Sequence, residues 1–214
     1  MSTLENIKEA TIRGDRDSAV ELSKQAITED LKVDDIIQKG FIAAMGVVGD
    51  RFNKGEIFVP EMLIAARAMQ AGLGIVKPYL SEDEKVTELA TVVLGTVKGD
   101  LHDIGKNLVS MMLEGAGCVV VDLGNNVSPE RFVDAVREHK PQFLGLSSLL
   151  TTTMPGMKLV LEKLEEAGLR QEVKVLVGGA PVTQEFAEGI GADGYAGNAS
   201  VAVNKIKELL SVSE

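Results

Sequence analysis

The chain has 214 residues, 45% of them hydrophobic and 4% aromatic, which is the composition of a folded protein with room for one large domain or two small ones. Its formal charge of −10 argues against a nucleic-acid surface or an anionic membrane as partner, because both are met by clustered Lys and Arg. The single cysteine, Cys118, makes no internal disulfide, and the charged amino terminus MSTLENIKEA lacks the apolar core of a signal peptide, so a reducing, cytoplasmic compartment is expected.

Residues 1 to about 80 show no strand pattern, and their apolar positions recur at helical spacing in four stretches. The first lies near Thr3 to Arg13. The second runs from Asp15 to Asp30, with Asp15 suited to cap it and Ala19, Leu22, Ala26 and Ile27 facing inward. A third reaches from about Asp34 to Asn53, before the turn at Lys54-Gly55. The fourth opens near Pro60, a residue suited to a first helical turn, and continues to about Tyr79. Short connections make an antiparallel four-helix bundle the expectation. Ser81 to Glu88 (SEDEKVTE) reads as a polar linker, so a helical domain over 1–85 is expected to precede a second domain over 89–214.

From Leu89 onward the pattern changes. Strands are expected at Leu89 to Val97, Cys118 to Leu123, Phe143 to Ser147, Val173 to Val177 and Gly194 to Ala196. Helices are expected to begin near Ile104, Pro129, Pro155, Thr183 and Asn198, and Ile104, Leu108, Met111 and Met112 have the spacing of one helix face. Five strands alternating with five helices imply a parallel sheet covered on both faces, in the flavodoxin-like (Rossmann-like) arrangement. Such sheets dock ligands on the loops at the carboxyl ends of their strands.

One of these loops carries the chemistry. Gly99 to Asn107 reads GDLHDIGKN and holds His102, one of only two histidines. A phosphate-binding loop is excluded because five residues, not four, separate Gly99 from Gly105, and Asn107 stands where Ser or Thr is needed. Gly115 and Gly117 lack the third glycine of a dinucleotide fingerprint, and one Cys with two His is a poor basis for a zinc site. The other histidine, His139, falls in the last turn of an expected helix, where it is suited to interact with helix carbonyls. An exposed loop residue is the bland reading of a lone histidine. Here, however, Asp100 and His102 are two apart, which points both side chains the same way in an extended segment. A carboxylate beside an imidazole fixes its tautomer and raises its basicity, the usual support of a metal-bound histidine. Two further stretches, Gly145 to Thr153 (GLSSLLTTT) and Val177 to Pro181 (VGGAP), close the third and fourth strands with hydroxyls and paired glycines. Convergence of all three on one face of the sheet suits a long ligand, with glycines for close backbone approach and hydroxyls for a polar slot.

Asp100-x-His102-x-x-Gly105, Ser147-x-Leu149 and Gly178-Gly179 together resemble the three-part signature of cobalamin-binding proteins of the methionine synthase and corrinoid methyltransferase class. The amino-terminal half, above all GDRFNKGEIFVPEM from Gly49 to Met62, is similar to the helical cap of that class. The resemblance implies a corrinoid protein that binds cobalamin base-off and His-on, with His102 as lower axial ligand to cobalt, Asp100 hydrogen-bonded to it and Thr153 completing a catalytic relay. It further implies cofactor contacts from Leu101, Asp103, Ile104, Gly105, Ser147, Leu149, Thr151, Gly178, Gly179 and Ala199, and places Phe52 and Val59 of the cap over the upper corrin face. By the same resemblance the chain carries methyl groups, as methylcobalamin alternating with cob(I)alamin. Its implied partners are a substrate-specific methyltransferase, a second methyltransferase acting on tetrahydrofolate or coenzyme M, and a reductive activase. A cobalamin-dependent sensor and the small subunit of a mutase are the alternatives.

Overall fold

The structure is a computed structural model that describes residues 2–79 and 88–211; apart from Glu88, the linker expected at Ser81–Glu88 lies outside the described residues. Two compact units divide the chain, one comprising residues up to Leu89 with Glu114–Gly117, the other Ala90–Leu113 with Cys118 onward.

The first unit is helical. Its elements are α1 (Thr3–Ile12), α2 (Arg16–Thr28), α3 (Val33–Asp35), a π-helical stretch (Ile36–Ile42), α4 (Ala43–Asn53) and α5 (Val59–Val76). The Asp15 carboxylate caps α2, accepting from the Ser18 backbone N–H at 3.1 Å and the Ser18 hydroxyl at 2.6 Å. Along α2 the sequence pattern needs one correction. Ala19 and Ala26 are buried, Leu22 and Ile27 only half so, and Ser23 is buried instead, since its hydroxyl donates to the Ala19 carbonyl at 2.7 Å and needs no water. The third expected helix forms, but its middle widens into π geometry, which a periodicity of 3.6 does not signal. By length and composition α5 is apolar enough to cross a membrane. Its Met62, Ala65, Ala66, Met69 and Val76 are buried inside the helical unit, while Glu61 and Arg67 interrupt its surface, the pattern of a bundle helix.

The second unit alternates strand and helix: β1 (Thr91–Thr96), α6 (Ile104–Gly115), β2 (Val119–Asp122), α7 (Pro129–His139), β3 (Phe143–Ser147), α8 (Pro155–Glu166), β4 (Lys174–Gly178), α9 (Gln184–Gly189), β5 (Gly194–Ala196) and α10 (Ala199–Ser211). All strand pairs are parallel, in the order β2-β1-β3-β4-β5. Near-continuous burial along β1, β3 and β4 reflects cover on both faces. Phe132, Leu144, Leu146, Met157, Val175 and Val177 anchor the core formed with α7 and α8.

The register fixes where the loops emerge. Thr96 of β1 pairs with Ser147 of β3, Ser147 with Gly178 of β4, and Gly178 with Ala196 of β5. Four neighbouring strands therefore end on one rung, and the loops that follow leave from the same edge of the sheet.

Candidate cofactor-binding site

The loop between β1 and α6 is fastened by backbone accounting. The Thr96 hydroxyl, fully buried, donates to the His102 carbonyl at 3.0 Å. The Asn126 N–H donates to the Asp100 carbonyl at 3.0 Å, the Asn125 side-chain amide donates to the Leu101 carbonyl at 3.3 Å, and the Asn126 side-chain oxygen accepts from the Gly99 N–H at 2.8 Å. Three successive carbonyls thus have partners outside their own loop, which holds the loop in one conformation without a regular element. Below it, the Lys106 ammonium, 1% exposed, meets both carboxylate oxygens of Asp122 at 2.7 and 2.5 Å and the Asn107 side-chain oxygen at 2.7 Å, pinning the first turn of α6 to the end of β2.

Asp100 is the centre of this loop. Its side chain is wholly buried, and five donors surround it: Oδ1 accepts from the His102 N–H at 3.0 Å and the His102 ring at 2.7 Å, and Oδ2 accepts from Leu149 N–H at 2.7 Å, Leu150 N–H at 3.3 Å and the Thr153 hydroxyl at 2.8 Å. Burial pushes the carboxyl upward, but the backbone donors His102 and Leu149 with the ring and Thr153 outweigh it and hold Asp100 well below the usual carboxylate range. An ionised carboxylate only accepts, so the imidazole nitrogen facing it, Nδ1, carries the proton. Nε2 is left with a free lone pair on a side chain 52% exposed. The geometry fixes the tautomer of His102 and turns Nε2 out as an available donor atom.

The hydroxyl side of the site contains a residue that the sequence pattern misses. Thr153 reaches Asp100, as expected, and beyond it the fully buried Ser148 lies with its Oγ 2.7 Å from Thr153 Oγ1. Ser147, the serine singled out from sequence, is half-buried at the end of β3 and has its carbonyl bonded to the Val97 N–H. Adjacent residues at a strand end point to opposite sides, so a Ser-Ser pair is itself the signal that one hydroxyl turns toward the loop. Asn125 and Asn126 had only the signal of a polar turn after β2, and Lys106 none beyond its place inside the motif.

The remaining expected residues differ in their surroundings. Leu101, Ile104, Leu149 and Leu150 are exposed by 69%, 83%, 42% and 41%, an unusual concentration of apolar surface on the two loops that carry His102 and the residues binding Asp100. Of the expected helix face Met112 is buried and Leu108 and Met111 are half-buried, but Ile104 is corrected: as the first residue of α6 it is exposed, and Lys106, Ser110 and Leu113 are buried as well. Asp103 opens α6 by accepting the Asn107 N–H at 2.7 Å, Gly105 has open space around its α-carbon, and Thr151 is exposed. Gly178 and Gly179 answer to the protein's own backbone. A Cβ on Gly178 would lie 2.7 Å from the Ala196 carbonyl oxygen, and one on Gly179, whose φ is +132°, would lie 1.8 Å from that of Ser148. Ala199 is buried at the start of α10. Phe52 and Val59 belong to the helical unit, half-buried and 39% exposed respectively. His139 ends α7 with Nε2 3.8 Å from the Glu138 carboxylate.

Among the described residues no group of three or more His, Cys, Asp or Glu is placed to hold a metal ion. A metal taken by His102 must therefore bring its other donors with it, and the exposed leucines and isoleucine of the two loops suit a broad, partly apolar ligand. Fold and site define an α/β protein with one carboxylate-fixed imidazole on a loop at the carboxyl end of its parallel sheet.

Residues 90–204 match the family described as B12 binding domain, and residues 3–77 match a second family of the same description. The trimethylamine corrinoid protein of Methanosarcina barkeri is 45% identical over 206 residues, covering 96% of this chain and 95% of that one, and the dimethylamine corrinoid protein of the same organism is 45% identical over 97% of both. Among solved structures, the methanol:cobalamin methyltransferase complex MtaBC from Methanosarcina barkeri matches with a TM-score of 0.89 at 32% identity, covering 98% of this chain and 80% of that chain. A cobalamin-binding protein from Desulfitobacterium hafniense matches with a TM-score of 0.75 at 34% identity over 96% and 97% of the two chains. This chain belongs to the B12-binding-domain family of corrinoid proteins, and its cofactor is a corrinoid.

Proposed function

We propose that this chain is a methyl carrier, taking a methyl group from a substrate-specific methyltransferase and yielding it to a second methyltransferase that acts on tetrahydrofolate or coenzyme M. The observation that carries this reading is the His102 ring, with Nδ1 committed to buried Asp100 and Nε2 free. The corrinoid, when bound, supplies the metal centre that takes up and releases the methyl group. The protein's part is to hold and bias that centre. His102 Nε2 would be the protein's donor to its metal. The Asp100 carboxylate holds the ring through Nδ1 and so keeps Nε2 directed at that centre. Leu101, Ile104, Leu149 and Leu150 cover apolar cofactor surface, and Asp103 and Gly105 line its approach. Ser147, Thr151, Gly178, Gly179 and the start of α10 at Ala199 flank the nucleotide tail, which the shared strand-end rung supports. From the helical unit, Phe52 and Val59 contribute contacts that exclude water from the reactive face.

The names of the relatives, trimethylamine and dimethylamine corrinoid proteins, point to a methylated amine as the donor and to its methyltransferase as the partner. A methyltransferase is also the partner in the MtaBC complex. The same relatives do not favour the sensor and mutase readings. A reductive activase is included because a carrier of this kind needs its metal returned to the reduced state after adventitious oxidation. The test is methyl transfer from labelled mono-, di- and trimethylamine, and from methanol, to the reduced corrinoid-loaded protein in the presence of the corresponding methyltransferases. Label on the corrinoid with at least one donor supports the carrier; no label with any, together with a preference for adenosylcobalamin, overturns it.

A further inference from the structure

We infer that Ser148 is a positioning residue that acts on His102 through Thr153 and Asp100, an inference that rests on the reading of His102 as the axial ligand. Proton counting carries it. Thr153 Oγ1 has three neighbours: Asp100 Oδ2 at 2.8 Å, Ser148 Oγ at 2.7 Å and the Leu150 carbonyl at 3.0 Å. A hydroxyl has one proton, and both Asp100 Oδ2 and the Leu150 oxygen are pure acceptors competing for it. The Leu150 carbonyl already receives the Thr153 and Met154 N–H groups, at 3.0 and 3.2 Å, so its two lone pairs are taken. The Thr153 proton therefore goes to the carboxylate, where the bond is charge-assisted.

The same count orients Ser148. Among the described residues its acceptors are that crowded Leu150 carbonyl, at 3.2 Å, and Thr153 Oγ1, at 2.7 Å, so it donates to Thr153. The result is a one-way series, Ser148 to Thr153 to Asp100 Oδ2, with the His102 ring donating to Oδ1 on the other side. Each donor in such a series polarises the next. Ser148 is held for this task by β4: its N–H donates to the Gly178 carbonyl at 3.1 Å, and its carbonyl lies where a Gly179 side chain would be. Without the Ser148 hydroxyl, Thr153 is a weaker donor to Asp100, and the carboxylate turns more of its charge toward the His102 Nδ1 proton. The axial nitrogen then becomes more electron-rich.

The test uses the full-length apo-protein with ¹⁵N-labelled histidine, reading both imidazole nitrogens through the carbon-bound ring protons, with His139 as internal control. In Ser148→Ala the His102 Nδ1 resonance moves toward stronger hydrogen bonding while His139 stays fixed. Thr153→Val also shifts His102, and adding Ser148→Ala to Thr153→Val changes nothing more, because the series is already cut. No shift in Ser148→Ala, or the same shift with and without the Thr153 hydroxyl, overturns the inference. Ser148→Gly is read in the same way should the alanine variant not fold. Retention of hydroxocobalamin by the wild type is measured alongside. If the wild type fails to retain it, the carrier reading falls whatever the apo-protein shifts show; if it retains it and the shifts are absent, only the role of Ser148 falls.

Discussion

At the scale of single residues, Asp100 illustrates how a buried charge is made tolerable by the number of donors around it. Both its oxygens face N–H or O–H groups, so Asp100→Asn must set an amide nitrogen against at least one backbone N–H, whichever way the amide is turned. The expected loss is about 1–3 kcal/mol of apo-protein stability, measured by urea unfolding, together with loss of the fixed His102 tautomer. Because the folded carboxyl titrates below the unfolded range near ~3.9, its contribution is complete above that range and declines as pH falls beneath it; the Asp100→Asn variant lacks that dependence. Cys118 behaves in the opposite sense. Burial pushes its thiol up to about 11, against weaker lowering by Lys207 and by the hydrogen bond with Ala90, so the group resists deprotonation in the folded state. Native protein at about pH 8 is expected to react with thiol reagents far more slowly than unfolded protein. Stability relative to Cys118→Ala should fall by about 2 kcal/mol as pH rises from about 8.5 to 10, since only the unfolded thiol releases its proton in that window. A flat difference across that window would contradict the burial-driven shift.

At the scale of elements, the site is a product of how loops are tied to strand ends. Lys106 and Asp122 are unequal partners in one ion pair, the ammonium 1% exposed and the carboxylate 37%. Removing Lys106 leaves a carboxylate that water can reach, whereas removing Asp122 leaves a buried ammonium with the Asn107 amide oxygen as its remaining partner. Asp122→Ala is therefore expected to destabilise more than Lys106→Met, roughly 2–4 against 1–2 kcal/mol; equal losses would show that burial does not govern the pair. Gly179→Ala combines a left-handed φ with a clash against the Ser148 carbonyl, so it should cost roughly 2–4 kcal/mol and weaken corrinoid retention by shifting Ser148. The order of elements is legible in the sequence, because strand and helix periods differ and Pro, Asp and Ser mark the starts of α5, α2 and α7. The π stretch at Ile36–Ile42 is not legible, since it changes the hydrogen-bond step and not the composition. Nor is the exposure of Ile104, whose spacing fits a buried face but whose place at the helix start lies beyond the sheet.

For the whole molecule, a composition that argues against a nucleic-acid partner and a loop that holds one imidazole are both readable from the chain, and the three motifs lie at or just after strand ends that share one rung. What the chain does not spell out is the fastening. Asn125, Asn126 and Thr96 fasten the loop from its neighbours, and Ser148 reaches Asp100 only through Thr153, by individual hydrogen bonds that leave no periodic trace in the sequence. The measurement that decides the matter is the visible spectrum of the full-length protein after loading with hydroxocobalamin and desalting, beside His102→Ala. Retention of about one corrinoid per chain with a base-off, histidine-coordinated spectrum, lost in the variant, is the predicted result. An unchanged spectrum and unchanged retention in His102→Ala would contradict it and remove His102 from the cofactor.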